Sequence, residues 1–194
     1  KWAFKNSDLL FFLDYKKMKE EILETIKKQD NNQTNRFYSS DYSDNLATDN
    51  ISDFTLEFIP FFENLENTKL EIRTKSNNIS NLLKLNPNKN IEIAFSLNPS
   101  EVIENYENKT TSLDERIKRI NTLLDAGWSV WIRFLPLVSI ENYEEIYDNF
   151  LNYLSSLRFL GVGSQGACYY DSKTNQVLKV FHIFFDNDYD YGIF

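Results

Sequence analysis

One cysteine, one histidine and five glycines leave this 194-residue chain short of residues that much chemistry needs in sets. Cys168 has no partner within the chain, so an internal disulfide is excluded, and with it a small secreted scaffold held by such bridges. Apolar runs are short. Leu9–Leu13 is among the longest, far below the roughly 18 residues of a membrane helix. The first residues, "KWAFKNSDLL", lack the charged and then apolar regions of a signal peptide, so a cytoplasmic chain without membrane contact is expected. His182 reads as a structural residue. Positive charge is also scarce: the formal net charge is −8. That excludes a broad phosphate-binding face, though not a local basic groove, and predicts weak or no binding to duplex DNA.

What the chain does have is apolar bulk. Its 42% hydrophobic share, with 16 Phe and 11 Tyr, can fill a sizeable core and excludes wholesale disorder. Acidity lies in the body, since residues 157–194 carry three basic and four acidic side chains. Asn-rich tracts such as "QDNNQTN" and "NPNKN" fall where turns are expected. The chain starts at Lys1 and stops at Phe194 inside an apolar stretch, the expectation being a piece of something longer.

Leu9–Leu13 reads as a buried strand, after which Asp14 caps a helix to about Lys28 with Met18, Ile22 and Ile26 on one face. Arg36–Asp41 is a short strand. Ser52 opens a helix whose Leu56, Ile59 and Phe62 share a face and which Pro60 should bend. Lys69–Thr74 is a strand, followed by a short helix around Ile79–Leu83, and Ile91–Leu97 is another strand. Ser112 and Glu115 form a capping box. The helix they open runs through Ile117, Ile120, Leu123 and Leu124 to Gly127, which supplies a left-handed cap. "WSVWIRFLPL" is a further strand ending at Pro136. A last helix, from near Ser139 to about Ser156, buries Ile140, Tyr143, Ile146, Tyr147, Phe150, Leu151 and Leu154.

Strands alternating with helices on long connections imply an α/β fold with a parallel sheet, either a barrel or an open sheet. In both, ligands sit at the C-terminal ends of the strands. Those ends carry Tyr38-Ser39-Ser40-Asp41, Thr74-Lys75-Ser76, Ser96-Leu97-Asn98 and Leu135-Pro136. An amino-acid-like or nucleoside-like ligand suits that set: Asp41 for an ammonium, Lys75 for a carboxylate, Ser96 or Asn98 for ribose hydroxyls.

The stretches "FIPFF", "LEIRTKS", "IAFSLNPSEVIENYE" and "TTSLDERIKRINTLLDAGW" resemble the radical S-adenosylmethionine enzymes of the spore photoproduct lyase group. The likeness runs from about residue 2 to 154 and is most specific from Lys69 to Trp128. It implies a partial (β/α) barrel over residues 1–156, incomplete here, with a rim that holds S-adenosylmethionine beside a [4Fe–4S] cluster. By the same resemblance, Ser40, Asp41, Lys75, Ser96 and Asn98 fall on cofactor-contacting positions. Reductive cleavage of the cofactor would then give a 5′-deoxyadenosyl radical that abstracts a hydrogen from substrate.

Two departures accompany the likeness. The family's C-x3-C-x2-C motif is absent, as Cys168 stands alone, so this chain is expected to be inactive by itself and to bind no cluster. The "WAFKNSDLLFFLDYKKMKEEI" stretch resembles the family's segment just after the third cysteine, which places the motif upstream of Lys1. The DNA-repair members carry a hydrogen-donating cysteine at the end of the second strand, and Tyr38 lies near that place. DNA is a partner by family, disfavoured by the charge.

Three of the five glycines, Gly161, Gly163 and Gly166, spell G-x-G-x-x-G in "FLGVGSQGACYY". A dinucleotide fold needs a helix directly after such glycines. Here "ACYYDSKTNQVLKVF" gives an extended run, a turn and a second extended run. Residues 157–194 therefore resemble the opening of a protein-kinase N-lobe, a short β-rich segment in which Lys179 and the three glycines would contact ATP with Mg²⁺. No catalytic Asp or magnesium ligand follows, and these two runs with the strand before the glycines alone bury little. "FDNDYDY" (Phe185–Tyr191) lacks the glycine and distal glutamate of a calcium loop and reads as a solvated tail, so no metal site is expected. Two alternatives stand beside the radical-enzyme reading. One is an ATP-binding kinase-like protein with the α/β part as an interaction domain; the other is a cluster-less pseudoenzyme that binds a small ligand.

Overall fold

In the computed structural model, the described residues are 14–29, 33–39, 43–107, 109–155, 167–171 and 176–180. The strand expected at Leu9–Leu13 lies outside them, as do Ser40, Asp41, the glycine loop, the junction near Leu157, His182 and Phe185–Tyr191.

Helix α1 (Tyr15–Lys28) starts where Asp14 accepts a hydrogen bond from the Lys17 N–H. It lays Tyr15, Met18 and Ile22 against the core. Strand β1 (Asn35–Ser39) leads to a short α2 (Asp49–Ser52) and to α3 (Phe54–Glu63). The start expected at Ser52 is displaced because Asp53 adopts φ 53° between the two helices. The buried Asp49 carboxylate takes over the capping role, accepting from the Thr55 N–H at 2.8 Å and its hydroxyl at 2.5 Å. The buried face of α3 is Phe54, Phe58, Ile59 and Phe62, with Leu56 only half-buried and Pro60 exposed inside the helix.

Strand β2 (Thr68–Thr74) is followed by a single 3-10 turn, Leu82–Lys84, where a short helix around Ile79–Leu83 is expected. After β3 (Ile91–Ser96) comes α4 (Ser100–Tyr106), which the sequence did not reveal. Helix α5 (Leu113–Asp125) is capped at both ends. Ser112 accepts from the Glu115 N–H, while the Glu115 carboxylate turns to Lys118 and Arg119 rather than closing the capping box. Gly127 sits at φ +89°. Its N–H reaches the Leu124 carbonyl and that of Trp128 reaches Leu123, the paired bonds of a Schellman cap. Strand β4 (Val130–Arg133) and α6 (Tyr143–Ser155) follow. Helix α6 starts four residues later than expected and buries Tyr147, Phe150 and Leu154, leaving Tyr143 exposed.

The four strands are parallel in the order β1-β2-β3-β4, with Ser39 opposite Ile72, Thr74 opposite Phe95 and Ser96 opposite Arg133. Sequential order without reversal puts right-handed crossovers on one side of the sheet. The doubly wound alternative reverses its order midway, and these strands do not. One face, with Phe37, Leu70, Ile72, Ile91, Ile93, Phe95 and Val130, packs against the helices and forms the core. Alternation sends Arg36, Tyr38, Glu71, Arg73, Glu92, Trp131 and Arg133 to the opposite, inner face. Two further strands, β5 (Ala167–Asp171) and β6 (Gln176–Val180), make a separate antiparallel pair. Among the described residues, no helix is long and apolar enough to cross a membrane.

Candidate functional site

The C-terminal ends of β2 and β3 bring Lys75 and Asn98 onto one carboxylate, Glu107, which lies just past α4, and the Ser96 carbonyl onto its partner Arg116. Glu107 is nearly buried, with 8% of its surface exposed. Its Oε1 accepts from Lys75 Nζ and from Asn98 Nδ2, each at 2.8 Å. Its Oε2 accepts from Arg116 Nη2, also at 2.8 Å. Burial alone would push this carboxyl up; the hydrogen bonds from Lys75, Asn98 and Arg116, with the Arg116 charge, outweigh it and hold it below the usual range. Glu107 is thus a carboxylate at neutral pH.

Arg116 is fully buried on the apolar face of α5, between Leu113 and Ile120. Its guanidinium also donates to the carbonyls of Thr111 and Ser96 and to the Thr110 hydroxyl, each at 2.8 Å. The end of β3 is therefore tied to α5 through Ser96. A charge buried this deeply is tolerated only when paired and fully hydrogen-bonded, and Arg116 is both.

Asn98 is also fully buried. Its Nδ2 reaches the Pro136 carbonyl at 3.1 Å besides Glu107, and its Oδ1 accepts from the Tyr147 hydroxyl at 3.0 Å. Burial raises the Tyr147 phenol; the Val138 N–H that it accepts works the other way, and the Glu107 charge adds to the rise. Asn98 thus links the rim to α6. Lys75 is held twice, since its own N–H donates to Asp44 Oδ2 at 2.7 Å. Asp44 also accepts from the Thr74 hydroxyl at 2.9 Å, fixing the end of β2. About a quarter of the Lys75 side chain, 28%, remains exposed, so its ammonium can meet an anionic ligand group while keeping Glu107.

Of the residues the sequence marks for the rim, Lys75 and Asn98 come together on Glu107, Ser96 joins them through its carbonyl and Arg116, and Ser40 and Asp41 lie outside the described residues. Tyr38 sits on the inner face of β1, 47% exposed, with the Arg73 guanidinium 4.8 Å from its ring. Lys179 lies on β6 opposite Cys168, while Gly161, Gly163 and Gly166 lie outside the described residues. Sequence reasoning missed Asp44, Glu107, Arg116 and Tyr147. Only Arg116 carried a signal, as a charge within an otherwise apolar helical stripe.

Residues 12–160 match the family model described as "Spore photoproduct lyase". The chain belongs to that family. Curated members of the spore photoproduct lyase family bear this out in part of their length. The protein of Clostridium acetobutylicum is 29% identical over 151 residues, 75% of this chain and 44% of that protein. That of Bacillus subtilis is 29% identical over 121 residues, 62% and 35%. The chain thus spans less than half the length of either. Among solved structures, spore photoproduct lyase complexed with dinucleoside spore photoproduct aligns with a TM-score of 0.69 at 22% identity, over 74% of this chain and 42% of that one. A double mutant of spore photoproduct lyase with bound AdoMet and dinucleoside spore photoproduct aligns equally well. These structures share the fold of the parallel sheet and its helices.

Proposed function

We propose that residues 1–156 are part of a radical S-adenosylmethionine enzyme similar to spore photoproduct lyase, the sheet being a portion of a (β/α) barrel with the cofactor at its rim. The observation that carries this reading is the meeting of Lys75 and Asn98 on the Glu107 carboxylate at the strand ends, with the Ser96 carbonyl tied to the same Arg116. Their chemistry fits the cofactor: the Lys75 ammonium suits a carboxylate, and the Ser96 hydroxyl suits a ribose. Asn98 acts by holding Glu107 and the loop at Pro136 in place.

S-adenosylmethionine supplies, in such enzymes, a carbon radical that takes a hydrogen from the substrate. The cluster that releases it needs thiolates, and this sequence has one cysteine. Among the described residues, no group of three His, Cys, Asp or Glu side chains is placed for a metal ion. The residues present do not fit a cluster, and no step through one is assigned to this chain. Its own share is to bind and orient: Lys75 fixes one end of the cofactor, while Glu107 and Arg116 keep Lys75 and the end of β3 in register.

Titration calorimetry of S-adenosylmethionine into the chain tests the reading. Saturable binding that falls at least tenfold in Lys75→Ala supports it; no binding, or binding indifferent to Lys75→Ala, overturns it. For residues 157–194 the kinase-like reading proposes ATP contact through Gly161, Gly163, Gly166 and Lys179. ATP binding lost in Lys179→Ala is its test.

A further inference from the structure

Tyr147 of α6 reaches Lys75, at the end of β2, through a series of hydrogen bonds whose direction is fixed at every step. The Glu107 carboxylate and the Pro136 carbonyl can only accept, so the Asn98 nitrogen must face both, at 2.8 and 3.1 Å. That leaves Asn98 Oδ1 as an acceptor, and the Tyr147 hydroxyl supplies its proton at 3.0 Å. The hydroxyl oxygen in turn accepts from the Val138 backbone N–H at 3.1 Å. A backbone N–H cannot reverse its role, so neither the phenol nor the amide has a second orientation. Both side chains are buried, where an unmade bond is costly.

The series ends on an oxygen that Lys75 also uses. Glu107 Oε1 takes Lys75 Nζ at 2.8 Å, while Oε2 is engaged by Arg116. Of the two cations on this carboxylate, Arg116 is fully buried and Lys75 keeps 28% of its side chain exposed. An acceptor oxygen shared by two donors holds each less tightly than it would hold one, because both draw on the same electron density. Asn98 thus loosens the hold of Glu107 on the cation that faces outward.

We infer that Tyr147 is a positioning residue for Lys75: through Asn98 it keeps Glu107 Oε1 divided between two donors, which leaves the Lys75 ammonium able to turn to a carboxylate of the ligand. Without the Tyr147 hydroxyl, Asn98 Oδ1 and the Val138 N–H lose their common partner, and the amide turns toward that N–H. Glu107 Oε1 then belongs to Lys75 alone, and the ammonium is withdrawn into the ion pair. The inference rests on the rim reading only for naming the ligand; amine labelling needs no cofactor, so the two can fail separately.

The folded 194-residue chain is labelled with limiting acetic anhydride, and mass spectrometry compares Lys75 with Lys118, whose side chain is 67% exposed. An amine is acylated only once it has left its acceptor and lost its proton. Tyr147→Phe is expected to slow the labelling of Lys75 severalfold relative to Lys118, and Asn98→Ala to slow it likewise. The double variant labels like Asn98→Ala alone, since Tyr147 acts only through Asn98. A merely structural role for Tyr147 predicts the opposite, a loosened strand end and faster or unchanged labelling. Circular dichroism checks the fold of each variant. Faster or unchanged labelling of Lys75 in folded Tyr147→Phe overturns the inference. Should that variant not fold, Asn98→Ala decides by the same sign. S-adenosylmethionine affinity, measured alongside, should fall in Tyr147→Phe; no binding even by the unaltered chain would sink the rim reading, and labelling would still decide the role of Tyr147.

Discussion

Lys75 and Asn98 donate to one and the same oxygen, Glu107 Oε1, each at 2.8 Å. A residue in the binding rim and a residue in the buried scaffold thus share an acceptor. Deleting that acceptor strands Arg116, which is fully buried. Glu107→Ala is expected to destabilise the chain by about 3–5 kcal/mol, the usual cost of leaving one partner of a buried pair. Urea unfolding followed by circular dichroism measures it, and a loss below about 1 kcal/mol would contradict the assigned role.

Lys75→Ala separates binding from stability. The Lys75 side chain is partly exposed, and Glu107 keeps Asn98 and Arg116 after its removal. A stability change within about 1 kcal/mol is expected, together with the loss of S-adenosylmethionine binding. Parallel melts and titrations of the same preparation check both.

Acid should loosen the rim. The Glu107 carboxyl lies below its ordinary value in the folded chain, so the folded state binds its proton less tightly than the unfolded state. That stabilisation is complete above the unfolded value of about 4.3 and drains away as pH falls through the folded one. Tyr147, raised by burial, acts at the other limb, its contribution fading as pH climbs past about 10. Urea midpoints between pH 3 and 7 should fall at the acid end for the wild type and less steeply for Glu107→Gln, if that variant folds.

Asp49→Ala tests the cap of α3. It removes the acceptor of the Thr55 N–H and hydroxyl at the start of α3. Loss of about 2–3 kcal/mol is expected, the scale of hydrogen bonds to a charged group combined with a lost helix cap. Asp49→Asn, which keeps one acceptor, should recover part of it in the same unfolding assay.

Local signals carried the fold a long way. Asp14, Ser112 and Gly127 announce helix ends through bonds that span three to five residues, and the structure shows those bonds. Helix α4 was hidden because Val102 and Ile103 are its only buried residues and Pro99 precedes it in place of a side-chain cap. The 3-10 turn at Leu82–Lys84 lies in an Asn-rich stretch too short for periodicity to decide. At the strand ends, the nearness of Lys75 to Asn98 was legible because strand ends in a parallel sheet share a rim. Glu107 was not: it meets Lys75 across 32 positions, and its surroundings, "ENYENKTTS", resemble any polar loop. The inner charges alternate openly along β2 as Lys69, Glu71 and Arg73, yet the cross-strand pairs Arg36–Glu92 and Arg133–Glu71 become visible only when four strands are laid side by side.

Arg116 reaches through from the helical side of the sheet to the Ser96 carbonyl on its rim. Helix α5, which carries it, is pinned by Ser112 at one end and by the Gly127 cap at the other. The order of the strand ends is therefore borrowed from a helix that packs behind the sheet. Softening either pin, with Ser112→Ala or a side chain at Gly127, would blur the rim from behind while every rim residue stayed in place.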